Sequence, residues 1–91
     1  MNYGLAFTPE AHVGLARLDS HLQEDVLDEL EKVAADPRLL PPRRANDLVH
    51  IDVVRDHAEK RTVVFVTVSV SHARRVLRVI RMGHVDGELP K

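Results

Sequence analysis

The sequence predicts an α+β fold in the order β-α-α-β-β-β, carried by a single domain of residues 1–91. Three observations predict it. Residues 60–70 are almost wholly β-branched or aromatic and alternate cleanly, with Val64, Val66, Val68 and Val70 on one face and Val63, Phe65, Thr67 and Ser69 on the other. A second extended run, residues 75–84, follows the polar break Ser71-His72-Ala73-Arg74, which has the length of a hairpin connection. Residues 8–35 carry two apolar stripes at helical spacing, and each stripe needs a sheet face to cover. The Val64–Val70 row is the natural partner for them.

The elements follow in chain order. In residues 2–7, Tyr3, Leu5 and Phe7 alternate as a short first strand. Thr8-Pro9-Glu10 then starts a helix, with Thr8 as N-cap, Pro9 at the first helical position and Glu10 at the positive end of the dipole. Val13, Leu15, Ala16 and Leu18 supply its apolar stripe, and it ends near Asp19. Ser20 and Gln23 have the spacing of a capping box that restarts the helix. Leu22, Val26, Leu27, Leu30, Val33 and Ala34 line the second helix, which Asp36-Pro37 stops. Residues 38–46 read as a linker, 48–54 as a strand and 55–59 as a polar turn. The hairpin of residues 60–84 closes the sheet as an antiparallel meander, and residues 85–91 read as a loose tail.

Composition narrows the class. Hydrophobic residues make up 44% and charged residues 30%, which fits a globular chain with an aliphatic core, since aromatic residues are only 3%. There is no cysteine, so neither a disulfide framework nor a thiolate metal site is available, and the chain fits a reducing cytoplasm. No basic and apolar leader opens the sequence and no apolar run reaches membrane-spanning length. The net charge of −1 hides a split: residues 1–40 carry eight acids and three bases, residues 41–91 six acids and ten bases. An acidic helical half therefore meets a basic strand half, which can face an anionic partner or be neutralised within the monomer.

The order of elements, together with Leu5-Ala6-Phe7-Thr8-Pro9-Glu10-Ala11, Leu15-Ala16-Arg17-Leu18-Asp19, Val33-Ala34-Ala35-Asp36-Pro37 and Val79-Ile80-Arg81-Met82-Gly83-His84, resembles the RelE/ParE superfamily of type II toxin–antitoxin toxins. These phrases and the strand pattern span almost the whole chain. The resemblance implies two helices packed on an antiparallel sheet and a toxin neutralised by a cognate antitoxin protein. It also implies a target: ribosome-bound mRNA, cleaved by an endoribonuclease (mRNA interferase), or, in the ParE branch, DNA gyrase without nuclease chemistry. Gly83-His84 matches the end of the family's last strand. The basic residue that often follows is Val85 here, and the tail lacks the aromatic residue of nucleolytic members. A non-nucleolytic binding member of the same fold therefore stands beside the nuclease reading. Self-association, as a homodimer through unpaired sheet edges, is a third reading.

RNA cleavage requires an acid–base group near the 2′-hydroxyl and cations around the scissile phosphate. His84, Arg61 and Arg81 are the catalytic candidates: His84 as acid or base, the two arginines as bidentate phosphate partners. Strand parity puts Arg61 on the mixed face with Phe65, Thr67 and Ser69. Arg43, Arg44, Arg74, Arg75 and Arg78 could track an RNA backbone or receive an acidic antitoxin segment. No metal or other cofactor is expected, because no two of the six histidines sit at i, i+3 or i, i+4 spacing and no cysteine assists.

Overall fold

The computed structural model describes residues 3–40 and 48–88. It contains β1 (Gly4–Phe7), α1 (Pro9–Ala16), α2 (Ser20–Ala35), a 3₁₀ turn (Pro37–Leu39), β2 (Leu48–His57), β3 (Lys60–Ser71) and β4 (Val76–Glu88). The order β-α-α-β-β-β is the one expected, with two helices on one face of a four-stranded sheet. The strands lie in the order β1-β4-β3-β2. β2, β3 and β4 form the antiparallel meander, and β1 joins its β4 edge in parallel, so the sheet is mixed.

The helix ends are set by local chemistry. Thr8 caps α1 by accepting from the Ala11 amide at 3.2 Å, and its hydroxyl donates to the Ile80 carbonyl at 2.6 Å, tying the helix start to β4. The buried residues of α1 are Ala11 and Gly14; Val13 is exposed and Leu15 only partly buried. Of the stripe read from hydrophobicity only Leu18 is buried, because α1 meets a strand backbone and needs small residues there. The Ser20–Gln23 capping box does not form. Asp19 is the N-cap of α2 without a side-chain bond, and the Gln23 side chain reaches back to the Leu18 carbonyl at 2.9 Å. The stop at Asp36-Pro37 stands: the Asp36 carboxylate accepts from the Arg38 amide and guanidinium.

Leu22, Val26, Leu30, Val33 and Ala34 of α2 are buried, against Val64, Val66 and Val68 of β3 and Leu77, Val79 and Met82 of β4. Burying side chains such as Val26 and Leu30, both 0% exposed, stabilises the fold by about 1.5–3 kcal/mol each. The strands run further than the sequence suggested. β2 continues to His57, where Ala58 and Glu59, both at positive φ (51° and 64°), make a two-residue turn. β4 continues through residues 85–88, read from sequence as tail, because these pair with residues 60–63.

One irregularity decides the faces of β4. Thr67 pairs with Arg81 but Val68 pairs with Val79, so Ile80 is an extra residue, a β-bulge. Before it, Leu77 and Val79 point to the helices; after it, Met82 does. Arg78 and Arg81 consequently share the open face, away from the helices. His84, three residues beyond Arg81 with no second bulge, turns to the helix-bearing face, in register with Val64.

Candidate functional site

The open face of the sheet brings three chemical types into one row. His50 of β2 pairs with Thr67 of β3, and Thr67 pairs with Arg81 of β4. Residues opposite one another on neighbouring strands share a face, and strands lie about 4.8 Å apart, so His50 and Arg81 flank Thr67 with roughly 10 Å between their Cα atoms. The Thr67 hydroxyl and His50 Nδ1 are 3.3 Å apart. Arg81 is well exposed and leans toward Glu10 of α1, Nε to Oε1 3.6 Å, a surface contact of little energetic weight. The row beyond the bulge holds Ser69 and Arg78. There a hollow of about 350 Å³ is lined by Ala6, Ser69, Ser71, Arg74, Val76 and Arg78. No carboxylate among the described residues pairs with Arg74 or Arg78. Small residues and hydroxyls from β1 and β3 keep this end of the face open around two guanidinium groups.

The three catalytic candidates read from sequence do not gather. Arg61 is on the open face but six residues from Thr67 along β3, about 20 Å at 3.3 Å per residue. Its guanidinium grips the Asp56 carboxylate through Nε at 2.8 Å and a second nitrogen at 3.2 Å. That hydrogen bond holds the Asp56 carboxyl below its usual range and raises Arg61 above its own. His84 is on the opposite face, exposed, near Asp86. Asp86 is itself held low, first by the Thr62 hydroxyl at 2.7 Å, then by Lys60 and His84. Only Arg81 of the three belongs to the open-face cluster. Of the RNA-binding candidates, Arg78 and Arg74 line the hollow. Arg75, at φ 56° in the β3–β4 turn, offers its carbonyl to the Gly4 amide. Arg43 and Arg44 lie outside the described residues.

His50 and Thr67 are the residues that sequence reasoning missed. The signal was present in the parity of residues 48–54, which set His50 beside Asp52, but it had no partner until the turn fixed the register. At the other end of the same face, Val54, Val63 and Val85 form an apolar row with Phe65 beside it; Phe65 is 46% and Val85 59% exposed. Among the described residues no group of three or more histidine or carboxylate side chains converges as a metal site, and no helix is long and apolar enough to cross a membrane.

Solved structures similar to this one include RelE toxins and RelBE complexes. A double-arginine mutant of the E. coli toxin RelE in its free state superposes with a TM-score of 0.73 at 25% identity, over 91% of this chain and 83% of that one. The chain has the fold of the RelE/ParE superfamily. The intact E. coli RelBE toxin–antitoxin complex gives 0.70 at 22% identity, covering 98% of this chain and 99% of that one. The RelBE2 toxin–antitoxin complex of Mycobacterium tuberculosis gives 0.67 at 16%, over 93% and 100%. No protein-family profile matches the sequence, and no curated protein does. In this RelE-like chain the helical pair is on one face of the sheet and the His50–Thr67–Arg81 row on the other.

Proposed function

We propose that this chain is the toxin of a type II toxin–antitoxin pair and that it inhibits translation by cleaving mRNA on the ribosome. The observation that carries the chemistry is the open-face row of His50, Thr67 and Arg81 with Arg78 in the next row. In this reading the 2′-oxygen attacks phosphorus and the bond to the 5′-oxygen breaks. His50 moves a proton at the 2′-hydroxyl or at the leaving 5′-oxygen, a task suited to an imidazole near neutral pH. Arg81 and Arg78 bind the phosphate and stabilise its developing charge. Arg74 extends the cationic track toward the next phosphate. Arg61, committed to Asp56, and His84, on the far face, have no part in it.

The antitoxin partner is supported by RelBE complexes among the similar structures. Exposed Val54, Val85 and Phe65, around half-buried Val63, give an apolar antitoxin segment a place to dock. The same apolar row favours a second reading, a binding toxin without nuclease chemistry, as in the gyrase-directed ParE branch.

The test is induction of the chain in a bacterial host with mapping of mRNA ends. Growth arrest with new mRNA ends is expected, relieved by His50→Ala and by Arg81→Ala but not by His84→Ala. Arrest without new ends would favour the binding reading. Relief by His84→Ala and not by His50→Ala would refute the open-face site. No arrest at all would refute the toxin.

A further inference from the structure

At the end of the molecule away from the Arg74–Arg78 hollow, α2 and β2 bring two histidines that are distant in sequence into ring contact. His21, in the first turn of α2, and His57, the last residue of β2, have ring centroids 4.6 Å apart and ring planes tilted by 44°. The approach is fixed one helical turn further on. Asp25 of α2 pairs with Arg55 of β2 at 3.3 Å, and Arg55 also reaches Glu29, the next turn of the helix, at 3.2 Å. His21, Asp25 and Glu29 follow one helix face at i, i+4 and i, i+8, while Arg55 and His57 share one strand face. The ion pairs therefore set the register in which the two imidazoles meet.

The other histidines whose contacts bear on this are engaged. His72 is hydrogen-bonded to the Tyr3 hydroxyl at 2.7 Å and His50 to Thr67. No hydrogen bond among the described residues involves either ring of the His21–His57 pair. Both side chains are exposed, so an ion in solvent can reach both rings. Neutral imidazole nitrogens are good ligands for Zn²⁺, Ni²⁺ and Cu²⁺ at about 2.0–2.1 Å, and poor ones for Mg²⁺. We propose that His21 and His57 form a two-imidazole chelate for a divalent transition-metal ion, with water in the remaining positions, which clamps the start of α2 to the end of β2. The ion joins two elements that are apart in the unfolded chain, so it stabilises the fold by binding the native state alone.

The experiment is thermal unfolding of the full chain with ZnCl₂, NiCl₂ or MgCl₂, together with calorimetric titration of ZnCl₂. Zinc and nickel should raise Tm by roughly 5 °C or more at saturating concentration, with one ion per chain, and magnesium should leave it unchanged. His21→Ala and His57→Ala should each abolish the rise, while His12→Ala and His72→Ala keep it. Far-UV circular dichroism establishes that each exposed-site variant is folded. No rise in the wild type, or a rise that survives in either His21→Ala or His57→Ala, overturns the proposal. The readout is independent of toxicity, so its failure and the failure of the toxin reading are separate results.

Discussion

Gly14→Ala should be the most damaging small change in the helical layer. A methyl group at Gly14 would lie 2.1 Å from the Met82 carbonyl oxygen, 2.9 Å from its carbon and 3.1 Å from the Met82 Cβ. Ordinary contact begins near 3.4 Å, so α1 would have to lift by more than 1 Å. The clash is with backbone, which no rotamer relieves. Forcing extra volume into a packed contact costs about 1–3 kcal/mol, and more when the obstacle is rigid. Lifting α1 also loosens Ala11, which is 0% exposed, and strains the Thr8 bond to Ile80. Alanine is the better helix former by about 1 kcal/mol, which offsets part of the cost. The net expectation is a loss of about 2 kcal/mol or more, equivalent to roughly 10 °C in Tm for a chain of this size. Urea and thermal unfolding followed by circular dichroism measure it, with an unchanged urea slope showing that only stability moved. Gly83→Ala and Gly87→Ala are the controls, because nothing lies within 4 Å of a Cβ at either position. A Gly14→Ala protein that melts at or above the wild type refutes the packing of α1 on the β4 backbone.

Three further changes test other parts of the structure. Glu59→Gly should raise stability by about 1 kcal/mol in urea titration, because a non-glycine residue at φ 64° carries left-handed strain; a loss would mean the turn is built differently. Arg55→Met should lower stability by about 1 kcal/mol at low salt and by less at high salt, since Asp25 and Glu29 lose partly exposed ion pairs; a salt-independent loss would point to packing instead. Thr62→Val removes the main hydrogen bond that holds the Asp86 carboxyl below its ordinary range. A carboxylate lowered in the folded state stabilises above its unfolded pKa, and this is lost as pH falls through the lowered value. The Thr62→Val and wild-type Tm curves should therefore be separated at neutral pH and converge below about pH 4; a constant offset across the range would refute the link.

The helix–sheet layering was legible because hydrophobic spacing states it directly. The Val64–Val68 row and the Val26–Leu30 stripe are buried as read. What was not legible depended on two short-range events. The first is the Ala58-Glu59 turn, which lacks the Asn-Gly signature of a two-residue hairpin. It pairs His57 with Lys60, and counting back along both strands then gives His50 opposite Thr67. A turn of any other length would have given His50 a different partner, so the site row could not be assembled from the strands alone.

The second is the bulge at Ile80, and it explains why Arg81 is on the open face with Arg78 while His84, three residues later, is not. In a regular strand, residues 78 and 81 differ in parity and cannot share a face. The extra residue restores them to one face and moves residue 84 to the other. The sequence does carry a trace of this. Core positions fall at Leu77 and Val79, then at Met82, with Val79 and Ile80 forming an adjacent apolar pair where the alternation slips. The Thr8 hydroxyl, bonded to the Ile80 carbonyl, supplies a partner for the bulge oxygen from across the chain. The cationic open face therefore rests on a bulge that Thr8, the cap of the first helix, helps to hold, and the same slip that joins Arg78 to Arg81 removes His84 from their company.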